Sequence, residues 1–166
     1  MGEDSVQLGR LRRVAGGVEG SLERLIEHDR EAVWHMLTEP RGLAQWLAPG
    51  SIELRTGGAV RIDFVDSGTV IESTVLEFDP PRLLEYSWSS GKEPQRPLRW
   101  ELNAVADGTK LVLTVRLPVG EDAAKACAGF EGHLEMLVAA LEGVPIKFPV
   151  DLFLEARRGY QEMLAT

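Results

Sequence analysis

Apolar residues recur along this chain first with a period near two and later with a period near 3.6, and the change falls at Pro118–Gly120. Alternation places side chains on opposite faces of a strand, whereas the longer period lays one stripe along a helix. From Gly17, Val18, Leu22, Leu25 and Ile26 lie among Glu19, Ser21, Glu23, Arg24 and Glu27, which predicts a first strand ending near His28. Asp29 then suits an N-cap, because its carboxylate can accept from the free amides of a first helical turn. The short helix that follows carries Val33, Trp34 and Leu37 on one side until Thr38-Glu39-Pro40 interrupts it. Pro40 can open a second short helix over Arg41–Leu47, since a proline at the first helical position forfeits no hydrogen bond. Ala48-Pro49-Gly50 closes the pair.

From there to Pro118 the pattern predicts an antiparallel meander. Ser51–Arg55 and Ala59–Val65 flank Thr56-Gly57-Gly58, where glycine can supply a turn's positive φ. After Asp66-Ser67-Gly68, Thr69–Phe78 has apolar residues in both phases, so coverage on both faces is expected. Asp79-Pro80-Pro81 ends that strand, Leu83–Trp88 forms the next, and a polar loop, Ser89–Pro97, leads to a hairpin. Leu98, Trp100, Leu102 and Ala104 alternate up to the Asp107-Gly108 turn, and Leu111, Leu113, Val115 and Leu117 alternate away from it. Beyond Gly120, Phe130, Leu134, Leu137 and Leu141 form the stripe of a long helix over 121–142, with Gly129, Gly132, Met136 and Ala140 as a neighbouring row of mostly small residues. Leu152, Ala156, Tyr160 and Leu164 predict a further amphipathic helix in 146–166. That stripe is too apolar for free solvent, so it should pack on its own domain or on a partner, as in a homodimer. Residues 1–16 show no sustained period and are expected to be a flexible leader, which leaves 17–145 as the folded domain.

Composition narrows this picture without naming an activity. The 166 residues carry 18 Lys and Arg against 26 Asp and Glu, for a formal net charge of -8. That balance argues against broad nucleic-acid binding, which needs cations to displace phosphate counterions. The longest apolar runs fall short of a membrane span, and the N-terminus lacks the apolar core of a secretory signal. A cytoplasmic setting is therefore expected. Cys127 is the single cysteine, so an internal disulfide is impossible.

The order of strand, two short helices, several strands and one long helix predicts an α+β fold with helices on one face of an antiparallel sheet. Three stretches carry a resemblance to a family: Asp29–Trp34 with Thr38–Leu47, Gly68–Phe78 with Asp79–Trp88, and Phe130–Leu137. They resemble the START-like, or SRPBCC, superfamily, and most closely its branch named after the heat-shock-protein-90 ATPase activator. The resemblance implies a helix-grip fold, in which a curved sheet of about six to seven strands wraps a long C-terminal helix around an apolar cavity. Members of the superfamily bind apolar molecules, resemble cyclases or assist a chaperone, so a shared fold does not choose among these roles.

The side chains allow several chemistries to be weighed. His28, His35 and His133 fall on different elements without ligand spacing, so no metal is expected. No phosphate-cradling loop, dinucleotide fingerprint or GxSxG elbow is present, and no cofactor is expected. Cys127 lacks a neighbour that would activate it and reads as a packing residue. The reading that best fits the pattern is binding of a small apolar or amphipathic molecule between sheet and helix. Trp34, Trp46, Trp88, Trp100, Phe130, His133 and Met136 would be its wall, with Glu72 as a charged group in the same cavity. An alternative is a cyclase- or hydrolase-like enzyme using His133 and Glu72. A second alternative is a co-chaperone domain, although the larger N-terminal domain expected of a full activator is missing from this sequence.

Overall fold

The computed structural model describes residues 7–165. Eight antiparallel strands form one open, curved sheet: β1 (Arg10–Val14), β2 (Gly17–Ile26), β3 (Gly50–Ile52), β4 (Ala59–Phe64), β5 (Thr69–Asp79), β6 (Leu83–Ser87), β7 (Pro97–Val105) and β8 (Gly108–Pro118). Their order across the sheet is β1-β2-β8-β7-β6-β5-β4-β3. Two short helices, α1 (Arg30–Thr38) and α2 (Pro40–Trp46), join β2 to β3, and α3 (Ala123–Leu141) and α4 (Val150–Ala165) follow β8. This is the expected α+β helix-grip architecture, with one strand more than the upper end of the expected range.

The core is assembled by alternation meeting the helical stripe. Leu98, Trp100 and Leu102 on β7 stand opposite Val115, Leu113 and Leu111 on β8, and all six are buried. Each such side chain removed from water stabilises the fold by roughly 1.5–3 kcal/mol. Phe130, Leu134 and Leu137 from α3 join the same cluster, as do Val33 and Leu37 from α1 and Leu43 from α2. Asp29 caps α1 as its position predicted, accepting from the Ala32 amide at 2.8 Å.

Three expectations change. The leader expected over 1–16 is not unstructured from residue 10 onward: β1 pairs with β2 from Arg10↔Ser21 to Val14↔Gly17. The part of that leader in 1–6 lies outside the described residues. Only backbone pairing reveals this strand, because Arg10, Arg12 and Arg13 give it no apolar alternation. The strand expected at Ser51–Arg55 shrinks to Gly50–Ile52. Strand β5 is covered on one face: Ile71 and Val75 are buried, whereas Glu72, Thr74 and Leu76 are exposed. A bulge between Val75 and Glu77 then shifts the phase, so that Phe78 turns inward against Trp34 at 5.9 Å between ring centroids.

The tail follows the first of its two expected arrangements. It packs on its own domain, where Ala156 and Tyr160 are buried and α4 lies against α3 and β1. Glycine permits this close approach. A Cβ on Gly132 of α3 would stand 2.5 Å from the Phe148 ring, and one on Gly159 of α4 would collide with the Leu8 side chain.

Candidate functional site

Helix α3 begins at Asp122, whose carboxylate accepts from the Lys125 amide at 3.0 Å and also pairs with Arg157 of α4 at 3.0 Å. Along the next two turns, Lys125, Gly129 and His133 follow at intervals of four and so share one side of the helix. With Asp122, Ala126, Phe130, Trp88 and Phe153 they line an open, mainly apolar groove of about 370 Å³. Phe130 and Trp88 meet edge to face at 5.3 Å, and Phe64 stands against Trp88 at 5.8 Å. No atom lies within 4 Å of the position a Gly129 Cβ would take, so the floor of the groove is open at its middle.

His133 closes the inner end. Its Nδ1 lies 2.9 Å from the Trp46 carbonyl oxygen. A carbonyl can only accept, so Nδ1 carries the proton and the neutral ring leaves Nε2 as an acceptor. Burial pushes the imidazole below its ordinary value near 6.5, and the Trp46 carbonyl opposes this without cancelling it. The rings of Phe64 at 6.0 Å and Phe148 at 5.2 Å flank it, and Phe153 lies 5.8 Å beyond Phe148. The site therefore joins aromatic walls, a polar acceptor at one end and the Lys125 ammonium at the exposed rim.

Of the residues expected to form a ligand wall, Trp88, Phe130 and His133 meet here. Trp46 and Trp100 do not: both are 1% exposed and pack edge to face at 5.6 Å within the core. The Trp46 indole donates to the Met36 carbonyl at 2.7 Å, which fixes it as a structural residue that holds His133 through its backbone. Trp34 packs with Phe78 between α1 and β5. Met136 is half-buried against the core and is not part of the groove lining. Glu72 is exposed and, by alternation with buried Ile71, projects from the opposite face of the sheet. The pairing of His133 and Glu72 in one cavity is therefore corrected, because the two face different sides. Among the described residues, no group of three or more His, Cys, Asp or Glu side chains could hold a metal.

A second polar cluster was not foreseen. Glu131 of α3 is 0% exposed, and its carboxylate accepts from Arg24 at 2.7 Å, from the Gly9 amide at 3.2 Å and from the Tyr160 hydroxyl. Burial pulls Arg24 downward, but Glu131 and Glu135 outweigh this and hold the guanidinium above its ordinary value. Burial, reinforced by the Glu131 charge, pushes the Tyr160 hydroxyl strongly up. Cys127, one turn before Glu131, is pushed up to about 12 chiefly by burial, so it is an inert thiol. The sequence signal was Glu131 itself, a carboxylate in register with Ala124, Cys127 and Leu134 on the buried side of the helix.

The comparisons agree with this architecture. Residues 27–142 match the model of the family described as activator of Hsp90 ATPase homolog 1-like protein, and the chain belongs to that family. Among solved structures, a conserved protein of unknown function, EF2215 from Enterococcus faecalis, superposes with a TM-score of 0.80 at 22% identity, over 95% of this chain and 90% of that one. CalU16 from Micromonospora echinospora gives 0.79 at 20% identity, over 96% of this chain and 100% of that one. DynU16, described as a protein of the dynemicin biosynthetic locus, gives 0.70 at 29% identity, over 76% of this chain and 48% of that one. No curated protein matches the sequence.

Proposed function

We propose that this member of the Hsp90-activator-like family binds a small apolar or amphipathic molecule in the groove along α3. The observation that carries the reading is an apolar opening of about 370 Å³ whose deeply placed polar group, His133, keeps an acceptor nitrogen with no partner among the described residues. Binding sites of small molecules combine apolar walls with a few convergent polar groups in this way. The occurrence of the structurally similar DynU16 in the dynemicin biosynthetic locus is in keeping with such a role. The pocket lies at the edge of the sheet-and-helix core rather than at its centre, because Trp46, Trp100 and Tyr86 fill the centre.

Titration with the fluorescent probe 1-anilinonaphthalene-8-sulfonate tests the reading. Saturable, one-to-one enhancement is expected, and Gly129→Leu should abolish it by filling the groove floor, where a Cβ meets open space. An absent signal, or one unchanged by Gly129→Leu, would overturn the assignment.

A further inference from the structure

We propose that Lys125, Gly129 and His133 form a linear recognition track for a flat, hydroxylated aromatic carboxylate. This rests on the groove reading above and specifies its ligand class. Eight residues separate Lys125 from His133, a rise of about 12 Å along a helix, with Gly129 midway and open above its Cα. A ring system lying along α3 would cover Gly129 among the rings of Trp88, Phe130 and Phe153. Its two ends then meet chemically different groups.

At the inner end, the Trp46 carbonyl fixes the proton on His133 Nδ1, so Nε2 can only accept. A hydroxyl satisfies that nitrogen, whereas an ether or a carbonyl oxygen cannot. At the outer end, Lys125 is exposed and makes no ion pair among the described residues, and it is the cation of the lining. The other charge there, Asp122, is already engaged by Arg157 and by the Lys125 amide. A carboxylate therefore completes the rim. The aromatic rings of the lining favour a planar ring over an alkyl chain of the same area.

The experiment compares three probes on the full chain by calorimetry or quenching of tryptophan fluorescence: 6-hydroxy-2-naphthoate, its 6-methoxy ether and 2-naphthol. The hydroxy acid should bind most tightly, with the ether weaker by roughly tenfold through loss of the donated hydrogen bond. The naphthol should be weaker by about threefold, the effect of one exposed ion pair. His133→Phe should erase the hydroxy-over-methoxy preference, and Lys125→Met should erase the preference for the acid over the naphthol. Equal binding of the hydroxy and methoxy acids to the unaltered protein would overturn the track while leaving the groove as a site. That comparison requires no variant to fold. If no probe binds, or if Gly129→Leu leaves binding intact, the groove reading fails together with the track.

Discussion

Helix α3 presents polar groups on two of its sides, and the two are finished in opposite ways. On the side facing β2 and α4, the Glu131 carboxylate is fully buried and accepts three hydrogen bonds, from β2, α4 and the backbone before β1. On the groove side, His133 uses one nitrogen on the Trp46 carbonyl and has no partner for the other among the described residues. A buried polar group that is fully partnered fastens elements together, because losing any partner leaves a desolvated charge or dipole. One that keeps an open valence beside apolar walls is poised for a ligand. The comparison thus separates architecture from recognition within two turns of one helix.

The strongest way to break that distinction is to remove the fastening. Glu131→Ala would leave the Tyr160 hydroxyl without its acceptor, take from the Gly9 amide one of its two acceptors and strip Arg24 of its more buried partner. Truncating one member of a buried ionic cluster costs about 3–5 kcal/mol. A large drop in the urea unfolding midpoint is expected, and a loss below about 1 kcal/mol would show that this side of α3 does not fasten the tail. Tyr160→Phe is the milder form. It keeps the ring of a fully buried residue and deletes one hydrogen bond to a charged group, a loss of about 1.5–3 kcal/mol. Because the same hydroxyl accepts from the Gly9 amide at 2.9 Å, exchange of that amide with solvent should accelerate in the variant.

A smaller test uses the two glycines of α3. Gly129→Ala should stabilise by about 0.5–1 kcal/mol, since alanine is the better helix former and its methyl group meets open space. Gly132→Ala gains the same propensity but drives its methyl against the Phe148 ring, so that gain should cancel or reverse. Protease sensitivity within 143–149 should rise only in the second variant. Equal stabilisation by both would mean that Phe148 does not rest on α3.

How far the residues themselves disclosed this division is itself instructive. Alternation and the later helical period set out the sheet, α3 and α4, because burial of one face imposes a repeat that a single sequence preserves. The groove residues Trp88, Phe130 and His133 were found because large rings and a histidine beside a small row on α3 stand out. Trp46 and Trp100 stood out equally and proved to be core, since an aromatic residue in the apolar phase looks the same whether it fills space or borders it. Glu72 was misplaced because strand phase depends on which face the rest of the chain covers. Strand β1 was missed for a related reason: an edge strand held by backbone pairing with exposed arginines needs no hydrophobic repeat. Glu131 was overlooked because a carboxylate in a helix ordinarily faces water, and only the distant partners Arg24 and Tyr160 make its burial tolerable.

The finest test asks whether His133 behaves as the neutral, open side of the comparison requires. Burial depresses its protonation in the native protein, whereas the unfolded chain takes up this proton near pH 6.5. Below that pH and down to the native value, the unfolded state binds more protons, so the contribution of His133 to stability is present above 6.5 and is lost as the pH falls. The groups around the ring are Phe64, Phe148 and the Trp46 carbonyl, none of which titrates. His28 and His35 persist in a His133→Phe variant, so subtracting its stability curve from that of the unaltered protein isolates one imidazole. That difference should decline on acidification from pH 7 to pH 5. Protonation of the native ring, which sets in only at the acid end of that decline, would also turn Nε2 from acceptor to donor, so preference for a hydroxylated over a methoxylated ligand should persist near pH 6.5 and fade at lower pH. A flat difference curve with a persistent hydroxyl preference would mean that Nε2 is not the group the ligand meets.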